Sequence, residues 1–178
     1  MLNHRLSICL LALLLLAFSA HAQTKKSKKP APRKASVTIN ITQTTSYCGG
    51  APPSEDMLQK LQTPQALNGV TFYIIKGNKV KPGVKPIATF TTDDFGKATV
   101  RLAPGNYSVI SAEQLKSFAP KQDTQYDHWD KDCLYQQWLT PLLSFTIKSA
   151  KPTKQAANIH KPCFFSMPCN RYTGPIPS

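Results

Sequence analysis

The stretch from residue 87 to residue 109 contains turn residues at close spacing, with strand-like patterns between them, so it specifies its own local structure. Every second residue of the segment 97–102 is apolar, which is the period expected of a half-buried strand. An Asp-rich turn precedes this strand, and Gly96 supplies the positive φ that such a turn needs. After the strand, Pro104 and Gly105 fit the two central positions of a type II turn. We therefore predict three antiparallel strands in a row.

Other segments extend this pattern into an all-β domain. Residues 37–42 and 143–147 alternate between apolar and polar side chains, which predicts strands with one face in the core. Residues 70–75 are apolar on both faces and predict a central strand, and a weaker strand is expected within 155–160. Ser54 followed by acidic residues predicts a short capped helix over 54–61.

The region 37–178 is long enough for one core and too short for two domains. We predict a single Ig-like antiparallel β-sandwich of about seven strands with a short helix. Residues 111–141 form a long polar insertion, expected to be ordered and to contain a short helix over 132–139. The C-terminal tail, 161–178, is apolar and looped and must be tethered.

Two groups of motifs carry a family resemblance. Thr91-Thr92-Asp93 followed by Gly96, and then Leu102 to Val109, resemble the carboxypeptidase regulatory-like domain. This resemblance implies a seven-stranded prealbumin-like sandwich. The segments that contain the cysteines are similar to those of uncharacterised secreted proteins from Bacteroidetes-type bacteria; they are Tyr47 to Pro53, Asp132-Cys133, His160 to Cys163, and Pro168-Cys169. The similarity implies fold and location, and no activity.

The first 22 residues have the composition of a secretory signal peptide. Arg5 precedes an apolar core that ends at Ala20-His21-Ala22. The apolar run is shorter than the roughly 20 residues that a membrane span requires, so no transmembrane segment is expected. Cys9 follows an isoleucine where a lipoprotein signal has a small residue, which argues against a lipid anchor. We expect an exported protein, located in the periplasm, at the outer-membrane surface or outside the cell.

A basic segment, 23–36, follows the signal. Six of its residues between 25 and 34 are positively charged and none is a large apolar residue, so we expect a disordered linker. Its charge suits an anionic surface such as lipopolysaccharide or phospholipid head groups, although a solvated linker explains the same composition. Nucleic acid is not an expected partner, because export separates the two and no aromatic residues are interleaved with the lysines.

Four cysteines remain after signal cleavage, and an even number in an exported chain predicts two disulfides. Three pairings are possible, and all four cysteines are expected to lie in irregular segments that the bridges tether. They are Cys48, Cys133, Cys163 and Cys169.

The alternative to disulfides is a zinc or copper site. Its ligands would come from His128, Cys133, His160 and Cys163, with Cys169 nearby. None of these spacings is a tight zinc knuckle, so no metal and no other cofactor is predicted.

The sequence contains no motif that identifies it as an enzyme. The prealbumin-like fold also hosts intradiol dioxygenases and hydroxyisourate hydrolases, but their ligand spacing and terminal motif are not reproduced. Asp127, Asp130 and Asp132 surround Trp129 in the insertion, where hydrogen bonding at a surface explains them as well as a carboxylate site does. No serine-hydrolase or zinc-protease motif is present, so we predict no catalytic residue.

The insertion offers a candidate binding surface made of aromatic residues. Its members are Tyr126, Trp129, Tyr135 and Trp138, and such side chains combine apolar area with a polar tip. Trp138 is also explained by packing of the insertion on the sandwich. We therefore predict a non-catalytic envelope or secreted module that binds a protein or a glycan. A metal-dependent or hydrolytic enzyme on the same fold and a structural domain without a ligand are the alternatives.

Overall fold

The computed structural model describes residues 32–176. The predicted signal peptide and most of the basic linker lie outside these residues. The described part contains two α-helices and ten strands, which are α1 (Glu55–Gln62), α2 (Lys131–Leu139), β1 (Ala35–Thr45), β2 (Gln65–Ala66), β3 (Thr71–Lys76), β4 (Ala88–Thr91), β5 (Lys97–Leu102), β6 (Gly105–Ile110), β7 (Asp127–Trp129), β8 (Leu143–Ile147), β9 (Thr153–Lys161) and β10 (Asn170–Tyr172). Neither helix is long and apolar enough to cross a membrane.

Two sheets form the sandwich. The first sheet has β1 at its centre, with β9 along one edge and both β5 and the short β2 along the other. The second sheet has the order β4-β3-β6-β8. Alternate residues of β1 are fully buried, among them Val37, Ile39 and Ile41, and they pack with buried side chains of the second sheet such as Ile74 and Val109. Seven strands of four residues or more build this core, which confirms the predicted β-sandwich.

One prediction about pairing is wrong. The strands β4, β5 and β6 do not form a meander, because β4 pairs with β3, β5 pairs with β1, and β6 pairs with β3 and β8. The chain therefore changes sheet at both connections. Alternation determines which face of a strand is buried, and an inter-sheet crossing buries the same side chains as a hairpin does.

The sandwich is also not wholly antiparallel. β9 runs parallel to β1 from the pair Val37 and Thr153 to the pair Thr45 and Lys161. The weak strand expected within 155–160 is thus the longest neighbour of β1. Side-chain periodicity carries no information on strand direction, so the sequence pattern could not reveal the parallel pair.

The two predicted turns differ in outcome. Gly96 has φ of +71°, as predicted, and Asp93 Oδ1 accepts hydrogen bonds from the backbone N–H of Phe95 and of Lys97. Gly105 has φ of +156°, whereas the third position of a type II turn requires about +80°. Gly105 already belongs to β6, and the corner is held instead by Tyr107, whose buried hydroxyl donates to Ala103 O at 2.8 Å.

The predicted first helix is confirmed as α1. Its N-cap is Ser54, whose Oγ accepts a hydrogen bond from Met57 N at 3.3 Å. Glu55 and Asp56 occupy the first turn, where they complement the positive end of the helix dipole.

Two disulfides connect the four cysteines. Cys48 bonds to Cys163 and Cys133 bonds to Cys169, which selects one of the three possible pairings. The parallel alignment of β1 and β9 explains the first bridge, because both strands leave the sheet at the same end. One expectation is wrong, since Cys133 lies within α2 and not in an irregular segment.

Candidate functional site

The insertion is fastened to the C-terminal tail by a two-stranded ribbon. β7 pairs with β10, which places His128 opposite Arg171. The Asp127 carboxylate accepts hydrogen bonds from Asn170 Nδ2 at 2.6 Å and from Thr124 Oγ1 at 3.0 Å. Strands of three residues are too short to show a period, so the ribbon was not predicted from the sequence.

The helix α2 begins where this ribbon ends. The N-cap is Asp130, whose Oδ1 accepts from Cys133 N at 2.9 Å, and whose own N–H donates to Cys169 O at 2.9 Å. The Cys133–Cys169 disulfide covalently reinforces the same contact. The predicted helix over 132–139 is thus confirmed, and it is positioned by the tail as much as by the sandwich.

Two of the four predicted aromatic residues lie together on α2. The rings of Tyr135 and Trp138 are nearly parallel, at an interplanar angle of 11° and a centroid distance of 6.1 Å. Phe118 packs against both, at 5.1 Å and 6.1 Å. Trp138 is half-buried against a cluster of the sandwich that contains Ile75 and Ile110, and its indole N–H donates to Glu113 O.

Tyr126 belongs to a different aromatic cluster, on the tail side of the insertion. Its ring lies 6.3 Å from that of Tyr172, which contacts Phe164 edge-on at 5.3 Å. Tyr126 and Phe164 are 40% and 47% exposed, so part of this cluster faces solvent.

Trp129 has one face covered. Lys121 Nζ lies 3.9 Å from the centroid of the indole, which is the geometry of a cation–π contact. The backbone N–H of Trp129 donates to Asp123 Oδ1 at 2.9 Å. The structure therefore distributes the four predicted residues over three places, and no single flat platform contains all of them.

A groove of about 540 Å³ lies between the insertion and the sandwich. Its apolar lining comes from both parts of the molecule, and comprises Phe72, Phe118, Leu134, Trp138, Leu142 and Ile159. Polar side chains at its rim include Lys116, Ser117, Lys121 and Gln137. Of the four predicted aromatic residues, only Trp138 lines this groove. The other residues that line it lie far apart in the sequence, so no local sequence pattern could have grouped them.

Gln114 ties the start of the insertion to the C-terminal end of α2, on the side of the groove that the insertion forms. Its Nε2 donates to the carbonyl oxygens of Trp138 and Thr140, each at 2.8 Å, while its Oε1 accepts from Ser111 N at 3.1 Å. The groove is thus braced by three hydrogen bonds from one side chain. Lys116 and Glu113 form an ion pair at the exposed rim.

The alternative metal ligands are engaged elsewhere. Cys133 and Cys163 belong to different disulfides. His160 shares hydrogen bonds with Thr44 and Ser46, and His128 shares one with Thr173. Within residues 32–176 no group of three or more metal-ligating side chains comes together. The carboxylates of Asp127 and Asp130 are used by the ribbon and the helix cap.

Comparison with known proteins gives distant structural similarities only. No family model and no curated protein matches the chain. The minor pilin GBS52 of Streptococcus agalactiae is 15% identical, with a TM-score of 0.40, and the match covers 82% of this chain and 48% of the pilin. The shaft pilin SpaA of Lactobacillus rhamnosus GG is 12% identical with a TM-score of 0.38, over 73% of this chain and 52% of the pilin. The chain therefore spans about half the length of these pilin structures.

Proposed function

We propose that this chain is an exported, non-catalytic module that binds a protein partner at the cell envelope by taking an apolar side chain into the groove beside α2. The groove carries this proposal. Its volume falls within the roughly 300 to 1,000 Å³ of typical ligand sites, and its apolar lining with a few polar rim groups is the usual composition of such a site.

The arrangement of aromatic residues favours a protein over a glycan. A sugar ring stacks on a flat exposed indole or phenol, but Lys121 covers one face of Trp129 and Trp138 is half-buried against the sandwich. A groove lined by an indole, two phenyl rings and aliphatic side chains instead fits the anchor residue of a protein interface.

The absence of catalysis rests on how the polar groups of the insertion are used. Asp127, Asp130 and His128 each hold the local fold through hydrogen bonds. None of these three groups lines the groove, so none is within hydrogen-bond reach of a molecule bound there. Export is supported by the composition of residues 1–22 and by the two disulfides, which persist in oxidising compartments.

The test fills the groove without altering the core. Ser117→Trp places an indole at the exposed rim, and Ser149→Trp makes the same change in the exposed loop before β9, away from the groove. A library of displayed random peptides is selected on the wild-type protein, and the enriched peptides are then measured on both variants. We expect at least a tenfold loss of affinity for Ser117→Trp and no more than a twofold change for Ser149→Trp.

Two results would reject the proposal. One is that no peptide is enriched, or that enriched peptides bind Ser117→Trp as tightly as the wild type. The other is that a glycan array gives binding that Ser117→Trp abolishes, which would assign the groove to a sugar.

A further inference from the structure

We propose that the solvent-facing side of the first sheet is a second binding site, which takes phosphate groups carried on a hydroxylated scaffold. The site, called the basic face here, consists of outward residues from three adjacent strands. They are Ser36, Thr38 and Asn40 on β1, Lys97, Thr99 and Arg101 on β5, and Lys154 and Ala156 on β9.

The register brings two lysines to opposite sides of one asparagine. Lys97 lies opposite Asn40 on β5, and Lys154 lies opposite Thr38 on β9. With strands about 4.8 Å apart and a rise of about 3.3 Å per residue, the two lysine Cα atoms are separated by about 12 Å. Both ammonium groups can therefore reach a phosphate held above Asn40.

A hollow marks the place between the lysines. It has a volume of about 350 Å³ and is lined by Thr38, Asn40, Lys97, Lys154, Gln155 and Ala156. Ala156 lies beside Asn40 and is the smallest outward residue of β9, since its outward neighbours are Lys154 and Asn158. The missing side-chain volume leaves the floor of the hollow accessible.

The side-chain oxygen of Asn40 lacks a hydrogen-bond partner among the described residues. This atom, Oδ1, is buried. A buried acceptor without a donor is unfavourable. Asn40 lines the hollow, and a ligand hydroxyl would satisfy its Oδ1 once the amide turns that oxygen toward the hollow. The ligand is therefore expected to carry a hydroxyl group in addition to the phosphate that the two lysines would bind.

The other end of the same sheet face is satisfied internally. Thr42 Oγ1 donates to Asn158 Oδ1 at 3.0 Å, Asn158 Nδ2 donates to Thr44 Oγ1 at 2.9 Å, and Thr44 Oγ1 shares a hydrogen bond with His160 at 3.2 Å. The two ends are built from similar side chains on the same strands. Only the end that carries the lysines leaves an amide oxygen, Asn40 Oδ1, without a hydrogen-bond partner in the described part of the chain.

The charge of the basic face is not neutralised locally. All nine acidic residues of the chain lie between positions 55 and 132, and none is on β1, β5 or β9. Asp94 and Asp93 are the nearest in sequence to Lys97; Asp94 Oδ1 accepts from Asn68 Nδ2, and Asp93 Oδ1 accepts from two backbone N–H groups. Among the described residues, no carboxylate lies within salt-bridge distance of Lys97, Arg101 or Lys154.

The basic linker leads directly into this face. Arg33 and Lys34 are exposed and precede Ala35, which lies opposite Leu102, next to Arg101. The charges of Arg33 and Lys34 thus lie at the end of the sheet where the basic face begins. Several phosphates on one surface or polymer would engage these two residues and the face together, which raises the avidity.

The experiment compares two double variants of equal net charge. Lys97→Gln/Lys154→Gln removes the facing lysines, and Lys81→Gln/Lys85→Gln removes two exposed lysines from the loop between β3 and β4. Each is made in the mature chain and checked by far-UV circular dichroism and thermal unfolding. Binding is measured to vesicles containing phosphatidylglycerol, with pure phosphatidylcholine vesicles as the blank, and to a phosphorylated oligosaccharide, with its dephosphorylated form as the blank.

We expect Lys97→Gln/Lys154→Gln to lose at least tenfold in affinity, and Lys81→Gln/Lys85→Gln to lose no more than twofold. Asn40→Ala should lower the affinity by about threefold while leaving the salt dependence unchanged, because it removes no charge. Binding restricted to the vesicles identifies a lipid head group as the source of the phosphate, and binding restricted to the oligosaccharide identifies a glycan. Equal losses in the two double variants, or no binding to either phosphorylated probe, would overturn the proposal.

Discussion

The sandwich and the insertion reach an ordered structure by different means. In the sandwich, the side chains of Val37, Ile39, Ile74 and Val109 are completely removed from solvent. In the insertion, 111–141, no residue is fully buried, and order comes from a disulfide, a capped helix, a short ribbon and aromatic contacts. The comparison shows that burial stabilises the scaffold, whereas cross-links and polar contacts position the proposed groove.

The largest expected effect is a cavity in the sandwich. Ile74→Ala should lower the free energy of unfolding by about 2 to 5 kcal/mol, because it removes buried methyl groups from a site that cannot fully collapse. Leu134→Ala in α2 is the matched change in the insertion, where the side chain is only half-buried, and should cost less than half as much. Urea unfolding followed by far-UV circular dichroism measures both. Equal losses would mean that the two regions share one core.

Removing each disulfide in turn should affect the sandwich and the insertion differently. Replacing Cys48 and Cys163 by alanine opens a link across 115 residues of sequence and should lower global stability by about 2 to 4 kcal/mol. Replacing Cys133 and Cys169 by alanine opens a link across 36 residues. It should lower global stability by somewhat less than the first bridge, because the loop is shorter, and should in addition loosen the insertion locally.

The positions of the tryptophans make this difference measurable. Both tryptophans, Trp129 and Trp138, lie in the insertion, so their fluorescence follows the insertion while far-UV circular dichroism follows the sheets. For the Cys133 and Cys169 variant we expect the fluorescence transition to occur at lower urea than the dichroism transition. If the two transitions coincide and both shift, the insertion unfolds together with the sandwich and the contrast is wrong.

A third prediction concerns a tight backbone contact inside the sandwich. A Cβ at Gly96 would collide with the backbone oxygen of Ile41, at a residue with φ of +71°. Gly83 has φ of +70° with nothing within 4 Å, so Gly83→Ala carries only the left-handed strain of about 1 to 2 kcal/mol. Gly96→Ala should destabilise by about 1 to 3 kcal/mol more. Equal thermal stabilities of the two variants would show that the turn moves to accommodate the methyl group.

The same contrast explains what could be predicted from the sequence. Alternation over 37–42, 97–102 and 143–147 reflects burial, and those strands were predicted correctly. Their neighbours were not, because β5 has the same buried face whether it pairs with β4 or, as it does, with β1.

The proposed groove is formed by contacts between distant segments, which no local sequence pattern reveals. Trp138 was singled out from composition, but Phe118, Leu142 and Ile159 complete the groove from three separate segments. Gln114 braces it through carbonyl oxygens, and any residue can offer a carbonyl oxygen. The disulfide pairing followed from the parallel alignment of β1 and β9, which periodicity does not encode.

The smallest expected effect tests whether the insertion is positioned by polar contacts alone. Asp130→Ala removes the N-cap of α2 and should weaken the helix by about 1 kcal/mol, with no change in the dichroism transition of the sandwich. Hydrogen exchange of the amides in α2 should accelerate about fivefold, since 1.4 kcal/mol corresponds to a factor of ten. Asp130→Asn keeps a capping oxygen and should restore most of the protection. If Asp130→Ala leaves exchange unchanged, the Cys133–Cys169 bridge alone is sufficient to hold α2 against the groove, and the polar contacts of the insertion are redundant with its cross-link.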